Sequence, residues 1–293
     1  MTIGLLIFSD PSQEQYTGAE RFEMAARERG HELVKIYEPF LSFCEGRILH
    51  EQRPLPPLDI IISRPNFIEE PSVRTYALQM LTNAGYRVIN SAPSSAWAKN
   101  KITQHVLFAE QGLPCPRWGV CRRSEDILKA AQDIGFPVVL KVVFGTHGKG
   151  IFFAPNAETL QPIAEYLAIR DRNPVIVEEF IEEAQRKDVR VFVLGGRILS
   201  AMERTAPAGD VRANTSNGGT GSPVILTPEE QDLAVRAATL FDLEIAGVDI
   251  IRSARGPLIL EANSNPGFKE LERVTGKDIA GAIIDYAVEQ TTP

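Results

Sequence analysis

Short apolar runs near the amino terminus alternate with stretches of helical periodicity, and this alternation narrows the possible folds more than any other feature of the chain. Ile3 to Phe8 is an unbroken apolar run, followed by a polar turn, an amphipathic stretch from about Gly18 to Arg29 closed by Gly30, and a return to extended character over Glu32 to Tyr37. Leu58 to Ser63 and Tyr86 to Ile89 read as two further strands, with a helix over Val73 to Ala84 between them. Parallel strands need a crossover long enough to hold a helix, so this order predicts an open, largely parallel sheet.

The remainder of the chain reads differently. A helix from Ser94 to about Gln111 ends at Gly112, Pro114 and Pro116, and a helix over Glu125 to Ile134 leads through Gly135 and Pro137 into the strand Val138 to Val143. After a glycine-rich loop come the strand Ile151 to Ala154, the helix Glu158 to Leu167 and the strand Val175 to Phe180, the pattern of a small lid with its own sheet. Strands Val189 to Leu194 and Arg197 to Glu203 flank Gly195-Gly196, a two-residue turn suited to positive φ. A helix over Pro228 to Phe241, strands Ala246 to Arg252 and Leu258 to Ala262, and a helix over Asp278 to Glu289 follow. The expected class is α/β joined to α+β, in three units: an α/β domain over residues 1–93, a lid over 94–180 and a carboxy-terminal unit over 181–293.

Composition removes several classes of function. At 44% hydrophobic and 24% charged, the 293 residues resemble an ordinary globular protein, and no apolar run approaches the roughly 20 residues that span a bilayer. The run Ile3 to Phe8 has neither a basic flank nor a cleavage pattern, so it reads as a strand. Cys44, Cys115 and Cys121 form no CxxC pair, which points away from a disulfide framework or structural zinc and towards a reducing cytoplasm. A net charge of −7 opposes binding to bare nucleic acid.

Two constellations carry chemistry. The first is Lys141 in a strand, followed by Gly145-Thr146-His147-Gly148-Lys149-Gly150; such glycines let backbone N–H groups approach phosphate oxygens while the lysine supplies a compact charge. The loop leads into a strand, so it is neither a Walker A sequence nor a dinucleotide fingerprint, and a plain hairpin is the competing reading. The second is Asp249 in one strand with Glu261 and Asn263 at i and i+2 at the end of the next. Alternation puts Glu261 and Asn263 on one face, and a hairpin would bring Asp249 beside them, an all-oxygen set suited to magnesium. A solvated hairpin is the bland alternative, but Ile250-Ile251 and Leu258-Ile259-Leu260 embed the acids in apolar runs. Arg190, Arg204 and Arg212 fall between these sites, where a forked guanidinium holds phosphate or carboxylate oxygens.

In this order the parts resemble the ATP-grasp superfamily, and within it the RimK-type glutamate ligases that modify a ribosomal protein tail. The resemblance runs from the amino-terminal unit to Thr275-Gly276-Lys277-Asp278-Ile279-Ala280-Gly281 and is most specific at Ala246-Gly247-Val248-Asp249-Ile250, at Glu261-Ala262-Asn263 with Pro266-Gly267, and over Glu178 to Arg190. It implies an ATP-grasp fold preceded by a Rossmann-like domain, and an ATP-dependent ligase that joins a carboxylate to an amine through an acyl phosphate. By the same resemblance Lys101 and Lys141 are the nucleotide lysines, Glu178, Glu179 and Phe180 the adenine hinge, and Asp188 the acid beside the ribose. Arg212, Ala213 and Asn214 would form the loop over the phosphates; Arg190, Arg204, Arg212 and Asn214 are the catalytic candidates, with Arg204 or Arg212 at the oxyanion. Asp249, Glu261 and Asn263 would hold two magnesium ions, with manganese as a substitute and Glu261 bridging. The expected partners are glutamate and the carboxyl tail of a protein or peptide, with the chain acting as a homo-oligomer away from membrane and nucleic acid.

Where the family pattern has small residues after the metal asparagine, this chain reads Ser264-Asn265-Pro266-Gly267-Phe268-Lys269-Glu270, near the expected acyl substrate. That keeps open another amino acid, an amino-group carrier protein, a cofactor tail or a small peptide as substrate. A nucleotide-binding regulatory module without turnover is the rival of another class, disfavoured because both lysines and all three metal candidates are present. A dehydrogenase is disfavoured because Ser9-Asp10-Pro11-Ser12 stands where a glycine fingerprint would follow the first strand.

Overall fold

The computed structural model describes residues 1–12, 18–66, 71–144, 150–170, 173–210, 213 and 218–291. The amino-terminal unit runs β1 (Thr2–Ile7), α1 (Ala19–Glu28), β2 (Glu32–Tyr37), β3 (Leu41–Cys44), β4 (Arg47–His50), β5 (Arg53–Pro54), β6 (Ile60–Arg64), α2 (Pro71–Arg74), α3 (Tyr76–Asn83) and β7 (Val88–Ile89). Its main sheet is parallel in the order β2-β1-β6-β7, as the alternation of strands and helices predicts. Strands β3 to β5 form a separate antiparallel meander that the sequence pattern does not announce.

Two helices lead out of this unit, α4 (Ala92–Lys99) and α5 (Lys101–Glu110), where the sequence predicts one continuous helix. Asn100 breaks them: its backbone is extended, and its side-chain oxygen accepts hydrogen bonds from the Ile102 and Thr103 N–H groups at 3.0 and 3.1 Å, restarting the helix as an N-cap.

The middle unit, expected from the sequence to act as a lid, comprises β8 (Trp118–Cys121), α6 (Ser124–Ile134), β9 (Val138–Val142), β10 (Ile151–Ala154), α7 (Ala157–Arg170) and β11 (Val175–Glu179), with antiparallel order β10-β9-β11-β8. Its core is its own: Ile127 and Ala131 of α6 and Leu160 and Ala164 of α7 pack on Val138, Leu140, Val175 and Val177 of the strands.

The carboxy-terminal unit comprises β12 (Lys187–Leu194), β13 (Arg197–Thr205), β14 (Thr220–Pro223), α8 (Pro228–Leu240), β15 (Ile245–Ser253), β16 (Gly256–Asn263), α9 (Lys269–Thr275) and α10 (Ile279–Glu289), with sheet order β14-β13-β12-β15-β16. Gly195 and Gly196 turn the β12–β13 hairpin at φ 56 and 72, the positive values that a two-residue turn demands. Strand β12 is buried on both faces. Val189, Val191 and Val193 pack with Ala234, Ala237 and Phe241 on one side, while Phe192 packs with Ile3, Phe22 and Ile283 on the other.

The final helix closes the chain onto its beginning. Ile279, Ala280, Ile283, Ile284 and Ala287 share a core with Ile3, Leu5, Ile7 and Phe22. Arg21 pairs with Glu272 at 3.0 Å, and Arg29 with Asp278 at 3.0 Å and Asp285 at 2.6 Å, around the rim of that core. A second joint is made by Asn90, whose amide donates to the Ile245 and Ser264 carbonyls at 2.7 and 2.9 Å and accepts from the Glu244 and Ile245 N–H groups at 2.8 and 3.0 Å.

Candidate active site

Register places the polar side chains. Residues 188, 190 and 192 share one face of β12, and antiparallel pairing sets Asp188 opposite Arg204, Arg190 opposite Asp249, and Asp249 opposite Glu261 across β13, β12, β15 and β16. Gly247 lies opposite Asn263 in the same ladder. The hairpin expected from the sequence therefore forms, with a bulge after Asp249.

Within it the three oxygen donors have different partners. Asn263 donates its amide N–H to Glu261 Oε1 at 3.0 Å and to the Gly247 carbonyl at 3.2 Å, which leaves the amide oxygen as its cation donor. Asp249 turns towards guanidinium groups: Arg190 grips it through Nε and, at 2.8 Å, through Nη2, and Arg204 Nη2 lies 3.0 Å from Oδ2. Arg204 also grips Asp188 in a fork at 2.6 and 2.7 Å. All four charges are buried. Burial alone would raise the Asp249 carboxyl, but the two arginines outweigh it and hold the group down at about 2. For Asp188 burial wins and the carboxyl is raised, with Arg204 opposing. Among the described residues no group of three or more His, Cys, Asp or Glu side chains could hold a metal ion.

Facing this ladder is a cluster of lysines. Lys101, at the first turn of α5, stands 4.0 Å from Glu261 Oε2, and Lys141, on β9, stands 2.5 Å from Glu178 Oε1. Burial lowers the Lys101 ammonium, with Lys141 adding repulsion against the pull of Glu261. Lys99, at the end of α4, is lowered to about 8 by burial and then by Lys101. Sequence reasoning overlooks Lys99; its spacing of two from Lys101 across the Asn100 break is the available signal. Among the described residues, three ammonium groups are gathered about Glu178 and Glu261, a concentration of positive charge that suits an anion with several oxygens. This donor set fits a polyphosphate with its magnesium.

The hinge candidates separate. Glu178 is buried and tied to Lys141 and, at 2.8 Å, to His105 Nε2; burial raises its carboxyl, but Lys141 and His105 bring it down to about 2. Glu179 points to the other face and meets Arg117 at 3.1 Å and Arg255 at 2.5 Å. Phe180 meets Phe153 edge-on at 4.9 Å, and these rings line a cavity of about 380 Å³ with Glu182, Gln185 and Arg186.

Gly150 adopts φ +81, and a Cβ there would lie 2.2 Å from Val142 Cγ2, so only glycine closes the loop onto β9. Ala213 is buried. Gly145, Thr146, His147, Gly148, Lys149, Arg212 and Asn214 lie outside the described residues.

The atypical segment after Asn263 holds units together. Phe268 is buried against Phe22, edge-on at 5.3 Å, and Arg64 lies over both rings at 5.3 and 5.5 Å while donating to the Pro266 carbonyl at 3.2 Å. Asn265 donates to the Pro65 carbonyl at 2.9 Å. The Phe268 ring is thus taken up by packing on Phe22 and Arg64.

Comparison with known proteins finds relatives in sequence and in fold. The family model described as the RimK-like ATP-grasp domain matches residues 98–287. The ribosomal protein bS6–L-glutamate ligase of Salmonella paratyphi B is 35% identical over 281 residues, covering 94% of this chain and 92% of that protein. The crystal structure of a RimK domain ATP-grasp protein from Sphaerobacter thermophilus superposes with a TM-score of 0.75 at 21% identity, over 98% of this chain and 100% of that one. The ATP-grasp ligase PsnB, solved with a phosphomimetic variant of its minimal precursor, Mg and ADP, gives 0.76 at 22% identity over 99% and 98%.

Proposed function

The chain belongs to the RimK-like ATP-grasp family and is an ATP-dependent carboxylate–amine ligase, and on that premise we propose that it adds glutamate to the carboxyl terminus of a protein or peptide. The observation that carries the reading is the convergence of Lys99, Lys101 and Lys141 on Glu178 and Glu261 at the meeting of the lid and the carboxy-terminal sheet.

Attack of a carboxylate oxygen on the γ-phosphate of ATP brings two anions together, so the site must supply positive charge where the phosphoryl group passes. Lys101 and Lys141 provide it, and their partial burial strengthens it by excluding water. Glu261 and Asn263, with Asp249 behind them, are the residues that would hold magnesium, two ions in this reading and replaceable by manganese; bound there, the metal offsets phosphate charge. Arg190 and Arg204 hold Asp249 in the ladder, and Asp188 balances Arg204. The cavity beside Phe153 and Phe180 is assigned to adenine, next to the Glu178–Phe180 hinge. Arg212, Ala213 and Asn214 are assigned to the phosphates. ADP leaves, the glutamate amine attacks the acyl carbon and loses a proton, and inorganic phosphate departs as the amide forms. In this reading the α/β unit over 1–93 precedes two units, 94–180 and 181–293, that clasp ATP between their sheets, and the enzyme is taken to be cytoplasmic and homo-oligomeric. Among the described residues no helix is long and apolar enough to cross a membrane.

Magnesium-dependent phosphate release from ATP, measured with each amino acid in turn and with or without an acidic carboxy-terminal peptide, tests this. Release requiring both glutamate and peptide is expected. Release with another amino acid would retain the ligase chemistry and overturn glutamate, and ATP binding without turnover across the panel would overturn the substrate assignment.

A further inference from the structure

Helix α5 carries two adjacent buried polar residues whose side chains leave it in different directions, since successive helical positions are about 100° apart. Gln104, 2% exposed, donates to the Ala262 carbonyl at 3.2 Å and to the Ala98 carbonyl at 2.7 Å, and accepts from the Ala262 N–H at 2.8 Å. That bond pair pins α5 to β16 between Glu261 and Asn263. His105, also 2% exposed, reaches the other way, to the lid. Its Nδ1 lies 2.8 Å from the Lys101 carbonyl, one turn back in the same helix, and its Nε2 lies 2.8 Å from Glu178 Oε2 on β11. Held between the Lys101 carbonyl and the Glu178 carboxylate, the ring has its plane fixed so that Nε2 meets the carboxylate. Glu178 divides its two oxygens, Oε2 to His105 and Oε1 to Lys141 Nζ at 2.5 Å. Trp118 of β8 packs edge-on against the imidazole at 5.2 Å and closes the remaining side.

We propose that His105 is a positioning residue for the nucleotide: through Glu178 it fixes the Lys141 ammonium relative to Lys101, while its neighbour Gln104 fixes Lys101 relative to the Glu261–Asn263 strand. One helix thereby sets the spacing of both phosphate lysines and the oxygen ligands before substrate arrives. The strong depression of the Glu178 carboxyl, to which both Lys141 and His105 contribute against burial, agrees with a charge held on both sides. Removing the imidazole leaves one carboxylate oxygen buried without its donor, and the Glu178–Lys141 pair then reorients around whatever donor remains.

The inference rests on the reading of Lys141 as a nucleotide lysine, so Lys141→Ala is measured alongside. ATP affinity is read by titration calorimetry with magnesium, which needs neither amino acid nor acceptor, and KM and kcat for ATP follow on the active enzyme. His105→Phe keeps the ring volume and loses the donors; it is expected to weaken ATP binding about tenfold, equivalent to roughly 1.4 kcal/mol, and to raise KM for ATP with kcat within about threefold of wild type. His105→Gln restores one donor towards Glu178 and is expected to recover most of the affinity. Unchanged affinity in His105→Phe, or a lower melting temperature with unchanged affinity, overturns the proposal, as does a His105→Gln variant that behaves like His105→Phe. If Lys141→Ala binds ATP as tightly as wild type, the nucleotide-lysine reading itself fails. Should His105→Phe not fold, Glu178→Gln cuts the same link from the other end, and undiminished ATP affinity in it overturns the proposal.

Discussion

Replacing Arg204 by methionine removes a long side chain's charge while keeping much of its volume, and the structure gives the size of the consequence. Arg204 donates two hydrogen bonds to Asp188, at 2.6 and 2.7 Å, and makes one contact to Asp249 at 3.0 Å, all in a buried setting. Asp249 keeps its fork from Arg190 in the variant, so the injury falls on Asp188, which is left as a buried carboxylate beside another. Breaking a buried pair in this way costs about 3–5 kcal/mol, a third or more of a typical folding free energy of about 5–15 kcal/mol. The sign of the pH dependence follows. Burial and the neighbouring Asp249 raise the Asp188 carboxyl, and without Arg204 the weaker pull of Arg190 is left to oppose them, so the folded variant binds a proton that the unfolded chain has released. The variant's deficit should therefore grow as pH rises above the usual aspartate range and be larger at pH 8 than at pH 5. Urea denaturation followed by tryptophan fluorescence at the two pH values measures it, and adding Asp188→Asn to Arg204→Met should recover more than half of the loss. A deficit below about 1 kcal/mol, or one independent of pH, would refute the reasoning that Asp188 becomes an isolated buried charge.

Because Lys141 and His105 hold the Glu178 carboxyl at about 2 against burial, its contribution, on the order of 3 kcal/mol, is present above the ordinary glutamate range and is lost as pH falls towards 2; Glu178→Gln should flatten the acid limb of urea midpoint against pH. Asn90→Ala removes the side-chain partner of four backbone groups of the carboxy-terminal unit, three of them in buried contacts, and should cost roughly 3 kcal/mol, with the urea midpoint as readout and a change under about 1 kcal/mol as the contrary result. Phe268→Ala should destabilise the chain by about 3–5 kcal/mol through the lost packing on Phe22 and Arg64, while folded protein keeps its KM for ATP.

The parts of the fold legible in the sequence are those where one physical signal dominates. Continuous apolar runs disclose β1, β6 and β9, which are buried along most of their length, and the Gly195-Gly196 turn locates the β12–β13 hairpin. The β3–β5 meander escapes notice because its strands are short and half-exposed, and because its first turn uses Glu45 at φ 49 before Gly46 rather than a customary Asn-Gly or Asp-Gly pair. Strands β8 and β14, of four residues each, lack the length for a periodic signal. At the site, the opposition of Asp249 and Glu261 follows from strand alternation alone. The engagement of Asp249 by Arg190 and Arg204 does not, since it depends on which strand lies beside β15, a long-range choice that no local pattern encodes. His105 is equally hidden: in sequence it is one polar residue in a mixed helix, and its meaning depends on β11 passing 73 positions later in the chain.

The most direct test of the central claim is the intact mass of an acidic carboxy-terminal peptide after incubation with ATP, magnesium, glutamate and either wild-type enzyme or Glu261→Ala. Mass gain in steps of one glutamyl residue is expected with wild type, none without glutamate, and none with the variant. A peptide unchanged by the wild-type enzyme while ATP is consumed in the presence of a different amino acid, or equal growth with Glu261→Ala, would contradict it.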